Sequence, residues 1–172
     1  MSPRAAWRLE ALGFEQVYDY VAGKADWLAN GLPREGKTAG DLYAGDLLDP
    51  DPPVCALGDT VAEVRKIIDR LSYGFCLAVN DRRIVLGRVR ASALRDAHAS
   101  ATAESVMEAG PGTVRASVPA EELVERLVKR DLTSAVVTTP AGRLLGVFHR
   151  DEAERRLAKG ANPESGAEED TA

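Results

Sequence analysis

The chain has 172 residues, 45% apolar and 28% charged, enough for one domain or two small ones sharing a core, which excludes fibrous and wholly disordered classes. Its formal charge of −5 argues against nucleic acid, whose binders gain counterion-release free energy through a basic face. No apolar run approaches the ~20 residues of a membrane span and MSPRAAWRLE has no secretory core, so the expected location is the cytoplasm, with no membrane partner.

Residues 1–36 open with Ser2-Pro3, an N-cap followed by proline at the first helical position. Ala5, Leu9 and Leu12 follow at helical spacing, and Gly13 ends the helix. FEQVYDY then reads as a strand, and a short helix around Asp26–Ala29 stops at Gly31 and Pro33. A lone strand leaves backbone donors and acceptors without partners. The segment is therefore expected to dock on the rest of the chain, or on a second copy, through Trp7, Val17, Tyr20 and Trp27.

The next stretch repeats itself. In a first copy, residues 37–98, Asp59-Thr60 opens a helix with Val61, Val64, Ile68 and Leu71 on one face. An apolar strand Phe75–Val79, a turn at Asn80-Asp81 and the strand RIVLGRVR follow. In a second copy, residues 99–158, Pro119 opens a helix carrying Leu123 and Leu127; then come AVVTT, a turn at 140–142 and RLLGVFHR. Thr60 matches Pro119 and Gly87 matches Gly146 at one offset of 59 residues (119 − 60, 146 − 87), with Ile68/Leu127 and Cys76/Ala135 in register between them. Each copy reads strand, helix, strand, strand, helix. Neither buries its helix faces alone, so the two are expected to pack sheet to sheet about a pseudo-twofold axis, with the ligand site in the cleft between them. Residues 159–172, acidic and poor in apolar side chains, read as a disordered tail.

The halves GDTVAEVRKIIDRLSYGFCLAVN and VPAEELVERLVKRDLTSAVVTTPAGRLLGVFHRDEAE resemble a tandem pair of CBS domains, the regulatory assembly also called a Bateman module. The resemblance implies an α+β fold of two β-α-β-β-α repeats, here with an added N-terminal helix-strand-helix segment. It also implies adenosine-containing ligands such as AMP, ATP or S-adenosylmethionine in the inter-repeat clefts, no required cofactor, and pairing into a homodimer that acts on a regulated protein. The family's ligand motif is Gly-apolar-x-Thr/Ser-x-x-Asp, whose carboxylate accepts hydrogen bonds from both ribose hydroxyls while the hydroxyl and helix-end amides meet phosphate.

Both copies depart from that motif. GRVRASA places Arg90 at the hydroxyl position and Ala93 at the carboxylate position; GVFHRDE places His149 and Glu152 there. Carried over residue by residue, the resemblance implies a pocket joining Val147, His149 and Glu152 to Pro53, Tyr73 and Gly74. Tyr73 would offer a ring to a purine and Gly74 would let a base approach the backbone. Arg88 and Arg90 alternate along a strand and share one face, where they would either hold a phosphate or carboxylate or pair with nearby acids.

Residues 1–36 resemble the C-terminal end of a rhodanese domain, which follows the loop bearing that family's reactive cysteine. Cys55, in VCAL, and Cys76, in FCLAV, read instead as core residues. No catalytic set and no metal site emerge from the sequence. The expected function is a non-catalytic CBS pair sensing an adenosine-type ligand. The alternatives are a structural dimerisation module without ligand binding and, remotely, a sulfurtransferase.

Overall fold

The computed structural model describes residues 3–18, 20–33, 42–71 and 73–160. Helix α1 (Pro3–Ala11) ends before Gly13, whose φ of +91° turns the chain. The strand expected over 14–20 does not form among the described residues, where Phe14 N instead donates back to Leu9 O. The physical reason is the lack of a partner: every edge strand of the two sheets is two residues long, too short to template seven. Helix α2 (Gly23–Ala29) follows, with Tyr20 set edge-on to Trp27 at 5.2 Å and Trp27 Nε1 donating to Pro33 O at 2.7 Å. Docking runs through Leu28, Gly31 and Leu32 against Tyr43, Ala116 and Leu145. Trp7, expected to take part, is 65% exposed.

The module begins with a 3-10 turn (Ala44–Asp46) and β1 (Leu48–Asp49), then β2 (Val54–Cys55), α3 (Val61–Leu71), β3 (Phe75–Val79) and β4 (Val85–Arg90). The second half contains α4 (Ala103–Val106), β5 (Glu108–Ala109), β6 (Thr113–Val114), α5 (Ala120–Lys129), β7 (Ser134–Thr138), β8 (Leu144–His149) and α6 (Arg150–Gly160). The 59-residue offset holds at the level of structure: Val54/Thr113, Val61/Ala120, Phe75/Ser134 and Val85/Leu144 all begin equivalent elements. Thr60 and Glu63 close α3 with a capping box, Thr60 N donating to Glu63 Oε2 at 2.8 Å and Glu63 N to Thr60 Oγ1 at 3.3 Å. Val61, Val64 and Ile68 face inward as expected; Leu71 is exposed at the helix end.

The first copy lacks its expected closing helix. Residues 91–97 form consecutive turns, with Ala93, Leu94 and Arg95 N donating to the carbonyls three residues back. Leu94 is the one large apolar side chain buried there, too little face to hold a helix against a core. The second copy does close with α6, which runs to Gly160 and so takes in the first two residues of the expected tail; residues 161–172 lie outside those described.

Strand pairing crosses between the copies. Two four-stranded sheets have the orders β1-β8-β7-β6 and β2-β3-β4-β5. Thus β1 pairs antiparallel with β8 of the second copy (Asp49 beside Val147), and β5 pairs with β4 of the first (Glu108 beside Arg88). The boundary expected near residue 98 therefore divides the sequence and not the sheets. Crossing hydrogen bonds come in symmetric pairs: Ala44 N to Val118 O and Ala103 N to Asp59 O, both 2.8 Å. On the axis itself Ile84 bridges Arg143, its own equivalent, through Val85 N to Gly142 O (3.1 Å) and Leu144 N to Arg83 O (2.8 Å). Leu77, Val136, Leu144 and Val147 fill the space between the sheets, and a second buried cluster lies under each sheet's helices. Among the described residues no helix is long and apolar enough to cross a membrane.

Candidate functional site

The pseudo-twofold creates two equivalent regions where β8 or β4 meets the loop entering the other copy's central strand. In the first, Gly74 (φ +72°) turns the chain into β3 and leaves Tyr73 pointing across to β8. Tyr73 Oη donates to Asp49 Oδ2 at 2.6 Å, and His149 Nε2 lies 2.8 Å from the same hydroxyl. A phenol has one proton, so the oxygen facing His149 accepts and His149 Nε2 carries a hydrogen. The Tyr73 ring packs edge-on to His149 (5.0 Å) and to Phe75 (5.4 Å). Burial and the Asp49 hydrogen bond push the Tyr73 hydroxyl well up; the Tyr73 hydrogen bond in turn holds Asp49 below the ordinary carboxylate value.

Of the residues proposed for this pocket, Tyr73 and His149 meet directly. Pro53 is buried, its carbonyl accepting from Leu77 N at 2.9 Å, and Val147 belongs to the packed layer between the sheets. Glu152 stands in the first turn of α6, 47% exposed, with Oε2 2.7 Å from Arg155.

The symmetric region is open. A cleft of about 210 Å³ lies between Phe75 and Arg88 on one side and Thr113, Arg126, Arg130 and Leu132 on the other. Here Arg88 and Arg90 occupy the positions of Val147 and His149. Both pair with Glu108: Arg88 Nε and NH2 donate to Oε2 (3.3 and 2.9 Å), and Arg90 Nε donates to Oε1 at 2.7 Å. The two guanidinium groups hold the Glu108 carboxyl below its usual range. Of the two uses the sequence left open for these arginines, pairing with a nearby acid is the one their geometry adopts.

Sequence reasoning missed Asp49 and Glu108. They sit 59 residues apart at equivalent places on the two exchanged strands, so the repeat offset was the signal that would have found them.

Cys55 and Cys76 are free and buried on adjacent strands; their mutual hydrogen bond and burial push the Cys76 thiol up. Neither meets the requirements of an accessible thiolate. Among the described residues no group of three or more His, Cys, Asp or Glu is placed to hold a metal ion.

Two sheets closed by exchanged strands about a pseudo-twofold axis make the fold that of a CBS domain pair. The CBS domain family model matches residues 103–159. Among solved structures, the cytosolic domain of the Mg2+ channel MgtE in complex with ATP superposes with a TM-score of 0.61 at 24% identity, covering 68% of this chain and 49% of that one. The CBS domain pair of protein MJ0100, in complex with 5-methylthioadenosine and S-adenosyl-L-methionine, gives 0.58 at 16% identity over 69% and 97% of the two chains. CBSX2 in complex with AMP gives 0.61 at 17% over 69% and 97%. The chain spans about half the length of the MgtE cytosolic domain and of the soluble part of a magnesium transporter that it matches. No curated protein matches the sequence.

Proposed function

We propose that this chain is a non-catalytic regulatory module that binds an adenosine-containing ligand between its two repeats and passes its occupancy to a partner protein, acting as a homodimer in the cytoplasm. The observation that carries the reading is the inter-repeat cleft bounded by Phe75, Arg88, Arg126 and Arg130, in a fold whose solved neighbours were crystallised with ATP, AMP, or 5-methylthioadenosine and S-adenosyl-L-methionine. A ligand changes such a module's behaviour only through differential affinity for two states, and a site shared by two repeats supplies it by favouring one relative placement of them.

In this reading Tyr73, Gly74, Pro53, Val147, His149 and Glu152 form the first region, with Glu152 accepting from ribose hydroxyls, and Arg88 and Arg90 serve the second. Sulfur transfer gains no support, because both thiols are buried. A second reading, a structural dimerisation module without ligand binding, is favoured by one observation: Tyr73, His149 and Asp49 already satisfy one another.

Thermal unfolding against AMP, ADP, ATP, S-adenosylmethionine and NAD, followed by Trp7 and Trp27 fluorescence, separates the two. A ligand at about 100 times its Kd contributes roughly 2.7 kcal/mol, a rise of roughly 5 to 10 °C for a chain of this size. The expected result is a rise selective for one adenosine ligand; its loss in Arg126→Gln assigns the ligand to the open cleft, and its loss in Glu152→Ala assigns it to the first region. A flat panel from folded protein favours the structural reading.

A further inference from the structure

The open cleft concentrates positive charge in a chain of net charge −5. Arg88, Arg126 and Arg130 line it, and Arg90 stands next to Arg88 on the same face of β4. The carboxylates that answer them are few. Glu108 is shared by Arg88 and Arg90, Glu122 lies 3.9 Å from Arg126 on the turn before it, and Arg130 makes no ion pair among the described residues. Phe75 and Leu132 add an apolar wall beside the guanidinium groups. This combination recognises a small molecule with both a ring and a phosphate.

We infer that Glu108 is an internal occupant of a phosphate site, and that a phosphate-bearing ligand entering this cleft takes Arg88 from Glu108 while engaging Arg130. The inference rests on the sensor reading for the use of the cleft and adds the ligand's charge and the route of response. Glu108 is placed to yield, since its carboxylate is half exposed and water can replace the arginine donors as it leaves. A phosphate carries up to twice its charge and more acceptor oxygens. The consequence falls on a chosen place. Glu108 lies on the two-residue strand β5, one of the crossing segments that tie the copies together, and its release removes the side-chain anchor of that strand to β4. The symmetric region is unlike it: Asp49, the equivalent acid, is held by the neutral hydroxyl of Tyr73 and pairs with no arginine among the described residues, so phosphate selectivity belongs to the open cleft.

The test is calorimetric titration of the full chain and its Glu108→Gln and Arg130→Gln variants with pyrophosphate, AMP, ATP and adenosine, with circular dichroism as the folding control. ATP and pyrophosphate are expected to bind at least about tenfold more tightly than adenosine. Glu108→Gln is expected to tighten both several-fold and Arg130→Gln to weaken both about tenfold, the scale of one charge-assisted contact. Adenosine binding as tightly as ATP, with Glu108→Gln neutral, overturns this inference and leaves the sensor reading standing. Pyrophosphate binding to which the nucleoside adds nothing supports the inference and removes adenosine from the reading. Silence from every probe, in wild type and Glu108→Gln alike, overturns both. If Glu108→Gln does not fold, the wild-type ranking and Arg130→Gln decide.

Discussion

Tyr73 is one of two places where the copies meet through polar side chains, the other being Glu108 with Arg88 and Arg90; its one hydroxyl serves Asp49 from β1 and His149 from β8. Tyr73→Phe removes both bonds and is expected to cost about 1 to 2 kcal/mol, read from urea denaturation at neutral pH. The same bond has a pH signature. Asp49 is held below its ordinary value of 3.8, so its contribution is complete above that value in the native protein and is lost as pH falls through the lower native value. Between about pH 2 and 5, stability should fall with acidification, and the Asp49 share of that slope should vanish in Tyr73→Phe. Cys55 and Cys76 should react with a thiol reagent in the denatured protein and resist it in the native one, as their burial requires. The sequence reached His149 through a motif position and Tyr73 through the wall expected opposite it, and the structure joins them. Asp49 and Glu108 stayed hidden because an acid on a two-residue strand has the same local signature as ordinary surface charge; pairing with residues 18 to 24 positions away sets its role.

At the level of elements, the exchanged segments sit so close to their host strands that one glycine in each host has no room for a Cβ as the structure stands. A Cβ on Gly146 would overlap the carbonyl oxygen of Asp49, and one on Gly87 would overlap Met107 Sδ. The obstacles differ in kind. Backbone of β1 cannot step aside without losing its pairing, whereas a methionine side chain can turn away. Gly146→Ala is therefore expected to destabilise by about 3 kcal/mol and Gly87→Ala by about 1 kcal/mol, measured as the difference in unfolding free energy from the native chain. Periodicity located α3, α5 and the central strands to within a residue or two, since their apolar spacing is enforced by burial. It failed where tertiary context decides. FEQVYDY has strand composition and no neighbour to pair with among the described residues, and 91–97 has a helix's place in the repeat without the apolar face to hold one.

For the whole molecule, the 59-residue offset made the architecture legible, and the resemblance built on it gave the sheet-to-sheet packing. Invisible in the sequence was the exchange, because β1 and β5 are two residues each and carry no pattern of their own. Each copy's sheet is completed by the other, and the layer of Leu77, Val136, Leu144 and Val147 belongs to both. Unfolding by urea should accordingly be a single transition with coincident fluorescence and circular-dichroism midpoints; two separated transitions would contradict a shared core. The same interlocking governs what happens if the chain is cut. Residues 95–100 form an exposed loop between β4 and α4, and a protease nick there would leave an N-terminal piece owning the edge strand β1 that the other piece needs, and a C-terminal piece owning β5. The two fragments would remain clasped without a covalent link, migrating as one species in native gel filtration and as two in denaturing gels.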